Sequence, residues 1–303
     1  MNLLITGAWQ DAKQHFDSLR EMGHQIHFQQ YEKDPLTVDE EWVEGIICNG
    51  FFLYHDIRRF KHLRYIQLTS AGYDRVPMKY VEDHQIEIHN ARGVYSIPMA
   101  EFVITGILDF FKRKAVFFEN QKKHLWEKQR DLLELNEKKV FILGCGNVGD
   151  ECAKRFKAFN CTIVGFDLIV EKKVNYDKVF HMERIKDFID VADIILISLP
   201  LTKQTFHLFN KELLYRCKDE AIIFNVSRGA VINLKDLEEV LENKNITVML
   251  DVFEDEPLRK ESSLWDNSSI IITPHNSFVG DGNPRRLKEV IIRNMSFNKK
   301  IRL

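Results

Sequence analysis

A chain of 303 residues has room for about two domains, and 45% hydrophobic with 29% charged residues is the make-up of a soluble globular protein. Its 43 basic and 45 acidic side chains leave a net charge of −2, which offers neither nucleic acid nor a membrane surface an electrostatic foothold. The nearest approach to a membrane span, Phe102 to Phe111, contains Asp109 and stops at Lys112-Arg113-Lys114, too short to cross a bilayer.

The N-terminus opens on a strand-like Asn2-Leu3-Leu4-Ile5-Thr6 with no basic region and long apolar core ahead of it, so no signal peptide is expected. Ala12, Phe16 and Leu19 then recur at helical spacing until Gly23 closes the helix. Short β-like runs follow at Gln25 to Phe28, Gly45 to Cys48, Tyr65 to Leu68 and Ile86 to His89. Such alternation predicts a parallel sheet covered by helices, with ligands beyond the carboxyl ends of its strands. Phe51, Phe52 and Tyr54 follow one such strand and are candidates to line a pocket, although most of the 22 phenylalanines should be core.

Ser96-Ile97-Pro98 suits a helix start, and the helix to about Lys114 is apolar on most sides, which predicts burial between layers. A charged helical stretch is expected over 122–135, ending in a polar linker, Asn136 to Lys139. The second domain should enter at about residue 98.

Residues 140 to 149 run from an apolar strand, Val140-Phe141-Ile142-Leu143, into Gly144-Cys145-Gly146-Asn147-Val148-Gly149 and then a helix pattern. Strand, tight glycine turn and helix N-terminus present free N–H groups and a positive dipole end, as a pyrophosphate requires. Gly144 permits the turn, Gly146 lets the backbone approach the phosphates, and Gly149 lets the helix lie close on the strand. Eighteen residues on, a second strand ends at Asp167, placed to accept both hydroxyls of an adenine ribose. That acid repels a 2′-phosphate, so NAD is expected over NADP, with Lys172 and Lys173 keeping NADP open.

Further strands are expected near 140–143, 162–166, 194–197, 221–224, 246–250 and 270–272, six in all, the number of the doubly wound dinucleotide fold. Three strand ends carry groups that propensity does not demand: Arg228 after 221–224, Glu256 after 246–250, and His275 after 270–272. In a parallel sheet all three open on the same crevice as the glycine loop. One arginine or histidine alone would read as structural; the joint placement points to hydride-transfer chemistry. Only 28 residues follow His275, too few for a domain, and their amphipathic helix, Pro284 to Phe297, should return to the first domain. The division expected is 1–97 with 279–303 as a discontinuous substrate domain and 98–278 as the cofactor domain. The five cysteines form no C-x-x-C pair and the histidines no H-E-x-x-H grouping, so no metal is expected and a reducing, cytoplasmic compartment fits. Cys145, inside the glycine loop, reads as small filler.

With Leu199-Pro200-Leu201-Thr202-Lys203-Gln204-Thr205 and Asn225-Val226-Ser227-Arg228-Gly229 in order after the glycine motif, the chain resembles the D-isomer-specific 2-hydroxyacid dehydrogenases. The resemblance extends to Thr69-Ser70-Ala71-Gly72-Tyr73-Asp74 and Met99-Ala100-Glu101. It implies an α/β architecture of two doubly wound parallel-sheet domains, a Rossmann cofactor domain inserted into a discontinuous flavodoxin-like substrate domain, with the active site in the cleft and a homodimer joined through the cofactor domain. The segment around Trp126 resembles the family's dimer arm.

By that resemblance His275 is the general acid that protonates the carbonyl of a 2-oxo acid, and Glu256 is its partner, a carboxylate that favours the protonated imidazole. Arg228 grips the substrate carboxylate with a planar, permanently charged fork. Ser70, Ala71 and Gly72 complete the carboxylate site, two of them through backbone N–H groups. Asn147 and Val148 join the glycines at the pyrophosphate, Pro200 and Thr205 lie under the adenosine half, and Val226, Ser227, Arg228 and Asp251 surround the nicotinamide end. The implied reaction is hydride transfer between NAD(H) and a small D-2-hydroxy acid of the glyoxylate, hydroxypyruvate or pyruvate type. A phosphite or formate dehydrogenase of the same superfamily is a further possibility. The alternative from another class is a non-enzymatic, NAD-responsive binding protein of the corepressor type, which a basic face or long polar tail would favour. The run Asn276-Ser277-Phe278 after His275 departs from the small residues common in that family.

Overall fold

The computed structural model describes residues 1–300, with side chains through residue 296. The chain divides into two compact units, Met1–Tyr95 joined by the segment from Gly280 onward, and Ser96–Val279.

The first unit holds strands β1 (Asn2–Thr6), β2 (Gln25–Gln29), β3 (Gly45–Cys48), β4 (Tyr65–Leu68) and β5 (Glu87–His89), with helices α1 (Phe16–Glu21) and α2 (Met78–Asp83). All pairings are parallel, in the order β2-β1-β3-β4-β5, the flavodoxin-like arrangement. Alternation along each strand sends Leu3, Ile5 and Ile47 to one face and Leu4, Ile46 and Cys48 to the other, the two-residue period of a pleated strand buried on both sides.

The second unit begins with α3 (Ser96–Phe111) and α4 (Lys114–Lys122), then β6 (Lys139–Leu143), α5 (Asn147–Ala158), β7 (Thr162–Asp167), β8 (Lys178–His181), β9 (Ile194–Ile197), α6 (Lys211–Arg216), β10 (Ile222–Asn225), α7 (Leu234–Leu241), β11 (Thr247–Leu250) and β12 (Ile270–Ile272). Its sheet runs β12-β11-β10-β9-β6-β7-β8, all parallel. Val140, Ile142, Ile194, Leu196 and Phe224 face the side covered by α3 and α5, while Phe141, Leu143, Ile195, Ile197 and Ile223 face the core shared with α6 and α7. The last helix, α8 (Asn283–Lys300), belongs with the first unit, where Leu287, Ile291 and Met295 pack with Leu3, Ile5 and Trp9. Its Asn294 Nδ2 donates to Gln67 Oε1 at 2.9 Å.

Three expectations need correction. The second sheet has seven strands rather than six, because Lys178-Val-Phe-His181 pairs with β7 as an edge strand. It is short and only partly buried, so no long apolar run announces it. The helix expected over 122–135 is absent. A helix occupies Lys114–Lys122 instead, bounded by left-handed residues at Arg113 (φ 49°) and His124 (φ 57°). Residues 125–135 lack regular structure and fold back along α3, with Leu133 N–H donating to the Phe111 carbonyl at 3.1 Å and Arg113 paired to Asp131. The charges of that segment favour helix locally, but no apolar stripe exists there to bury, and packing rather than propensity stabilises short helices. Finally, α3 ends at Phe111 and is not buried on most sides: Val103, Ile104, Ile107 and Phe111 are buried while Glu101, Thr105, Asp109 and Phe110 are exposed. No helix among the described residues is long and apolar enough to cross a membrane.

Candidate active site

The glycine loop joins β6 to α5. Gly144 lies at φ +92°, and a Cβ there would meet the Ser198 carbonyl oxygen at 2.7 Å, so both its conformation and its neighbour require glycine. At Gly149 a Cβ would collide with the Gly144 carbonyl oxygen and stand 3.1 Å from Ile142 Cγ2; this is the close helix-on-strand contact. Gly146 differs, because a Cβ there meets nothing within 4 Å. Open space therefore stands over the first residue ahead of α5, where Asn147 is exposed and Val148 half-buried. A pyrophosphate fits such a place, at the positive end of a twelve-residue helix.

Asp167 closes β7. One oxygen accepts the Cys145 N–H at 2.6 Å and the other the Leu168 N–H at 2.7 Å, so the carboxylate is fixed beside the glycine turn. Of the two lysines that kept NADP open, Lys173 is committed to Asp150 (3.2 Å) and Glu171 (3.6 Å), while Lys172 is exposed. The loop after β9 is held by Thr205, whose hydroxyl donates to the Pro200 carbonyl at 2.7 Å and accepts the Thr202 N–H at 2.7 Å. Pro200 itself is exposed and Thr205 buried.

Arg228, Glu256 and His275 follow β10, β11 and β12, three adjacent strands. The arginine loop is built by Asn225, fully buried, whose Oδ1 accepts the Ser227 N–H (3.0 Å) and hydroxyl (2.8 Å) and whose Nδ2 donates to the Arg228 carbonyl (2.9 Å). The guanidinium donates to the Ser227 carbonyl at 2.8 Å and is half-buried; Val226 and Ser227 are buried. Gly229 lies directly on the backbone of Phe253 and Glu254, with no room for a Cβ, so the loops after β10 and β11 touch main chain to main chain.

Glu256 accepts the Phe253 N–H through Oε1 at 3.0 Å and contacts His275 Nδ1 through Oε2 at 2.7 Å. An ionised carboxylate can only accept, so in this contact Nδ1 is the donor and Nε2 is the ring nitrogen that Glu256 leaves unused. His275 sits at φ +50°, a left-handed conformation costly for a side chain with a Cβ. Asp251 holds that loop in place. Fully buried, it accepts the Thr273 hydroxyl (2.6 Å) and the Asn276 N–H (2.9 Å) on one oxygen and the Ser277 N–H (3.0 Å) on the other. The Phe278 ring stands edge-on to the imidazole, centroids 5.7 Å apart.

Ser70, Ala71 and Gly72 lie in the first unit, in the turn after β4. Asn90 Nδ2 donates to the Ala71 carbonyl at 2.6 Å, the Ala91 N–H to the Ser70 carbonyl at 2.8 Å, and the Tyr95 hydroxyl to the Thr69 carbonyl. Ala71 is exposed. Sequence reasoning assigned no role to Asn225 or Thr273. Asn225-Val-Ser227 carries an Asx-turn signal that could have marked the first; nothing marked the second. Among the described residues no group of acidic, histidine or cysteine side chains could hold a metal ion.

The family model of the NAD-binding domain of D-isomer specific 2-hydroxyacid dehydrogenases matches residues 104–277. A D-3-phosphoglycerate dehydrogenase of Methanocaldococcus jannaschii is 32% identical over 222 residues, 72% of this chain and 42% of the relative. A glyoxylate reductase of Thermofilum pendens is 28% identical over 243 residues, 77% of this chain and 71% of the relative. The crystal structure of a D-isomer specific 2-hydroxyacid dehydrogenase family protein from Aeromonas salmonicida superposes with a TM-score of 0.84 at 27% identity, covering 97% of this chain and 94% of that one.

Proposed function

The chain belongs to the D-isomer specific 2-hydroxyacid dehydrogenase family, and from that premise we propose that it reduces a small 2-oxo acid of the glyoxylate, hydroxypyruvate or pyruvate type to the D-2-hydroxy acid with NADH. The observation that carries this reading is the 2.7 Å contact of His275 Nδ1 with Glu256, at the end of the same sheet whose glycine loop has open space over Gly146. When bound, the dinucleotide supplies the hydride. Gly144, Gly146 and Gly149 with the N–H groups of Asn147 and Val148 hold its pyrophosphate, and Asp167 its adenine ribose. Pro200 and Thr205 support the adenosine half, and Val226, Ser227, Arg228 and Asp251 the nicotinamide end, Asp251 by way of the loop it anchors.

The chain's own residues do the acid–base work. Arg228 binds the substrate carboxylate and polarises the carbonyl; in the first unit the N–H groups of the Ser70-Ala71-Gly72 turn are a candidate carboxylate holder in their own right. The proton that the carbonyl oxygen takes up comes from His275 Nε2, and Glu256 fixes the ring and stabilises the imidazolium. Preference for NAD over NADP follows from Asp167 and from the commitment of Lys173 to two carboxylates. A homodimer is proposed on the apolar surface of the second unit, where Phe118, Leu125, Leu132 and Leu133 are exposed and Trp126 is 95% exposed. A cytoplasmic location accords with five free, buried cysteines.

The test is oxidation of NADH against a panel of 2-oxo acids, with NADPH in parallel. His275→Ala should lower turnover by about 10²-fold or more, the scale of general acid catalysis, with NADH affinity unchanged. Folded protein that turns over none of the panel, or an unimpaired His275→Ala, would reject the assignment.

A further inference from the structure

A second histidine and carboxylate pair stands in the same unit as His275 and Glu256. His207 Nε2 lies 3.1 Å from Glu254 Oε1, the histidine in the loop after β9 and the acid in the turn after β11. The two pairs are built alike. Both histidines are in the left-handed region, each at φ +50°, and both carboxylates belong to one stretch, Glu254-Asp255-Glu256-Pro257, exposed throughout. Left-handed backbone at a residue with a Cβ persists only where its surroundings hold it. At His207 they do. Its N–H donates to the Ala230 carbonyl at 2.8 Å, the Leu208 N–H to the Thr205 carbonyl at 3.2 Å, and the Phe209 N–H to the Val231 carbonyl at 3.0 Å. The Phe206 ring stacks on the imidazole, centroids 3.9 Å apart. His207 is therefore a fixed post, bonded through its main chain to the segment that follows Arg228.

The exposed stretch that carries Glu256 needs such a post. Asp255 supplies no outside tether, because its partner Arg259, at 3.7 Å, belongs to the same segment. Glu254 reaches another loop through His207. An exposed ion pair contributes little to stability, but it can fix where the next side chains of its turn stand, and catalysis is sensitive to displacements that stability hardly registers. We propose that His207 is a positioning residue for the acid–base pair: by holding Glu254 it fixes the turn in which Glu256 stands, and so keeps Glu256 on Nδ1 of His275 and leaves Nε2 to the substrate. The inference rests on the reductase reading.

In a neutral imidazole the proton sits on one nitrogen or the other. Ring nitrogen NMR shifts at alkaline pH, assigned to His275 by their loss in His275→Ala, report that division without substrate or cofactor. Wild type should hold the Nδ1–H form, and His207→Ala should move population toward Nε2–H. In the same variant kcat should fall about tenfold, with the KM for the 2-oxo acid and NADH affinity within about threefold and the melting temperature within about 4 °C of wild type. His207→Gln, whose Nε2 can donate to the same oxygen, should restore most of kcat and the wild-type ratio. Glu254→Ala should match His207→Ala, and the double variant should lose no more than either alone. A folded His207→Ala with the wild-type ratio overturns the proposal whatever its kcat; so do a wild-type kcat, losses that add in the double variant, or a wild type in which Nε2–H predominates. Should His207→Ala not fold, wild-type behaviour of Glu254→Ala overturns it equally. If wild type reduces no 2-oxo acid, the reductase reading has failed, and the imidazole ratio alone decides whether His207 holds the pair.

Discussion

Gly146 and Gly149 stand three residues apart, one capping α5 and the other in its first turn, yet a methyl group added at each should break different things. At Gly149 the new Cβ runs into the Gly144 carbonyl oxygen and is 3.1 Å from both Ile142 Cγ2 and Tyr176 Oη. The first obstacle is backbone, so α5 must lift from β6. Overpacking of this kind costs about 1–3 kcal/mol, which for a unit of this size lowers the melting temperature by about 2–12 °C. At Gly146 the methyl meets no protein atom within 4 Å, and the residue's φ of −81° suits alanine. The loss there is at most the cap preference of glycine over alanine, about 1 kcal/mol. The methyl does, however, fill the space over the helix N-terminus, so NADH affinity should fall by about tenfold or more, equivalent to at least about 1.4 kcal/mol. Thermal denaturation followed by circular dichroism and a fluorescence titration with NADH measure the two quantities. Gly149→Ala should melt early, and Gly146→Ala should melt close to wild type but bind poorly. Wild-type NADH affinity in Gly146→Ala would refute the placement of the pyrophosphate over this loop.

Asp251→Ala leaves the Thr273 hydroxyl and two loop N–H groups without their acceptor; at about 1–3 kcal/mol for each buried unsatisfied group, it should melt well below wild type and lose turnover with the His275 loop, as calorimetry and the NADH assay will report. His275→Gly and His275→Ala should be equally inactive, but the glycine variant should be more stable by about 1 kcal/mol because it relieves the left-handed backbone; equal melting temperatures would contradict strain at this residue. All five cysteines are buried, and burial pushes the thiols of Cys145 and Cys217 up to about 12 and that of Cys161 up to about 11. A thiol-specific disulfide reagent at pH 8 should therefore find no fast-reacting group in native protein and five after denaturation. Rapid labelling at Cys145 with loss of NADH binding would show the glycine loop open to oxidation.

Much of this was legible in residue order because the signals are local. A strand running into a spaced glycine turn, and charged groups in the segments after three apolar strands, need no distant partner to be seen. What escaped depends on distant partners. The edge strand β8 has only β7 to pair with, and little apolar pattern records that. Residues 125–135 carry good helix formers, but Trp126 at 95% exposure and Leu135 buried in the core show that their apolar residues do not gather into one face that packs. Glu32 reads as one charge among many until Asn49 and Gly50, 17 and 18 residues on, are seen to deliver their N–H groups to it.

The backbone contact of Gly229 with Phe253 and Glu254 has an engineering consequence. Guanidinium and acid pair sit on what is mechanically one part, since the two loops share a boundary with no side chain to trim or enlarge. Transplanting either loop alone from a relative, to redirect this catalyst toward another acid, would misalign both groups; the stretch from Asn225 to Glu256 must travel as a single cassette.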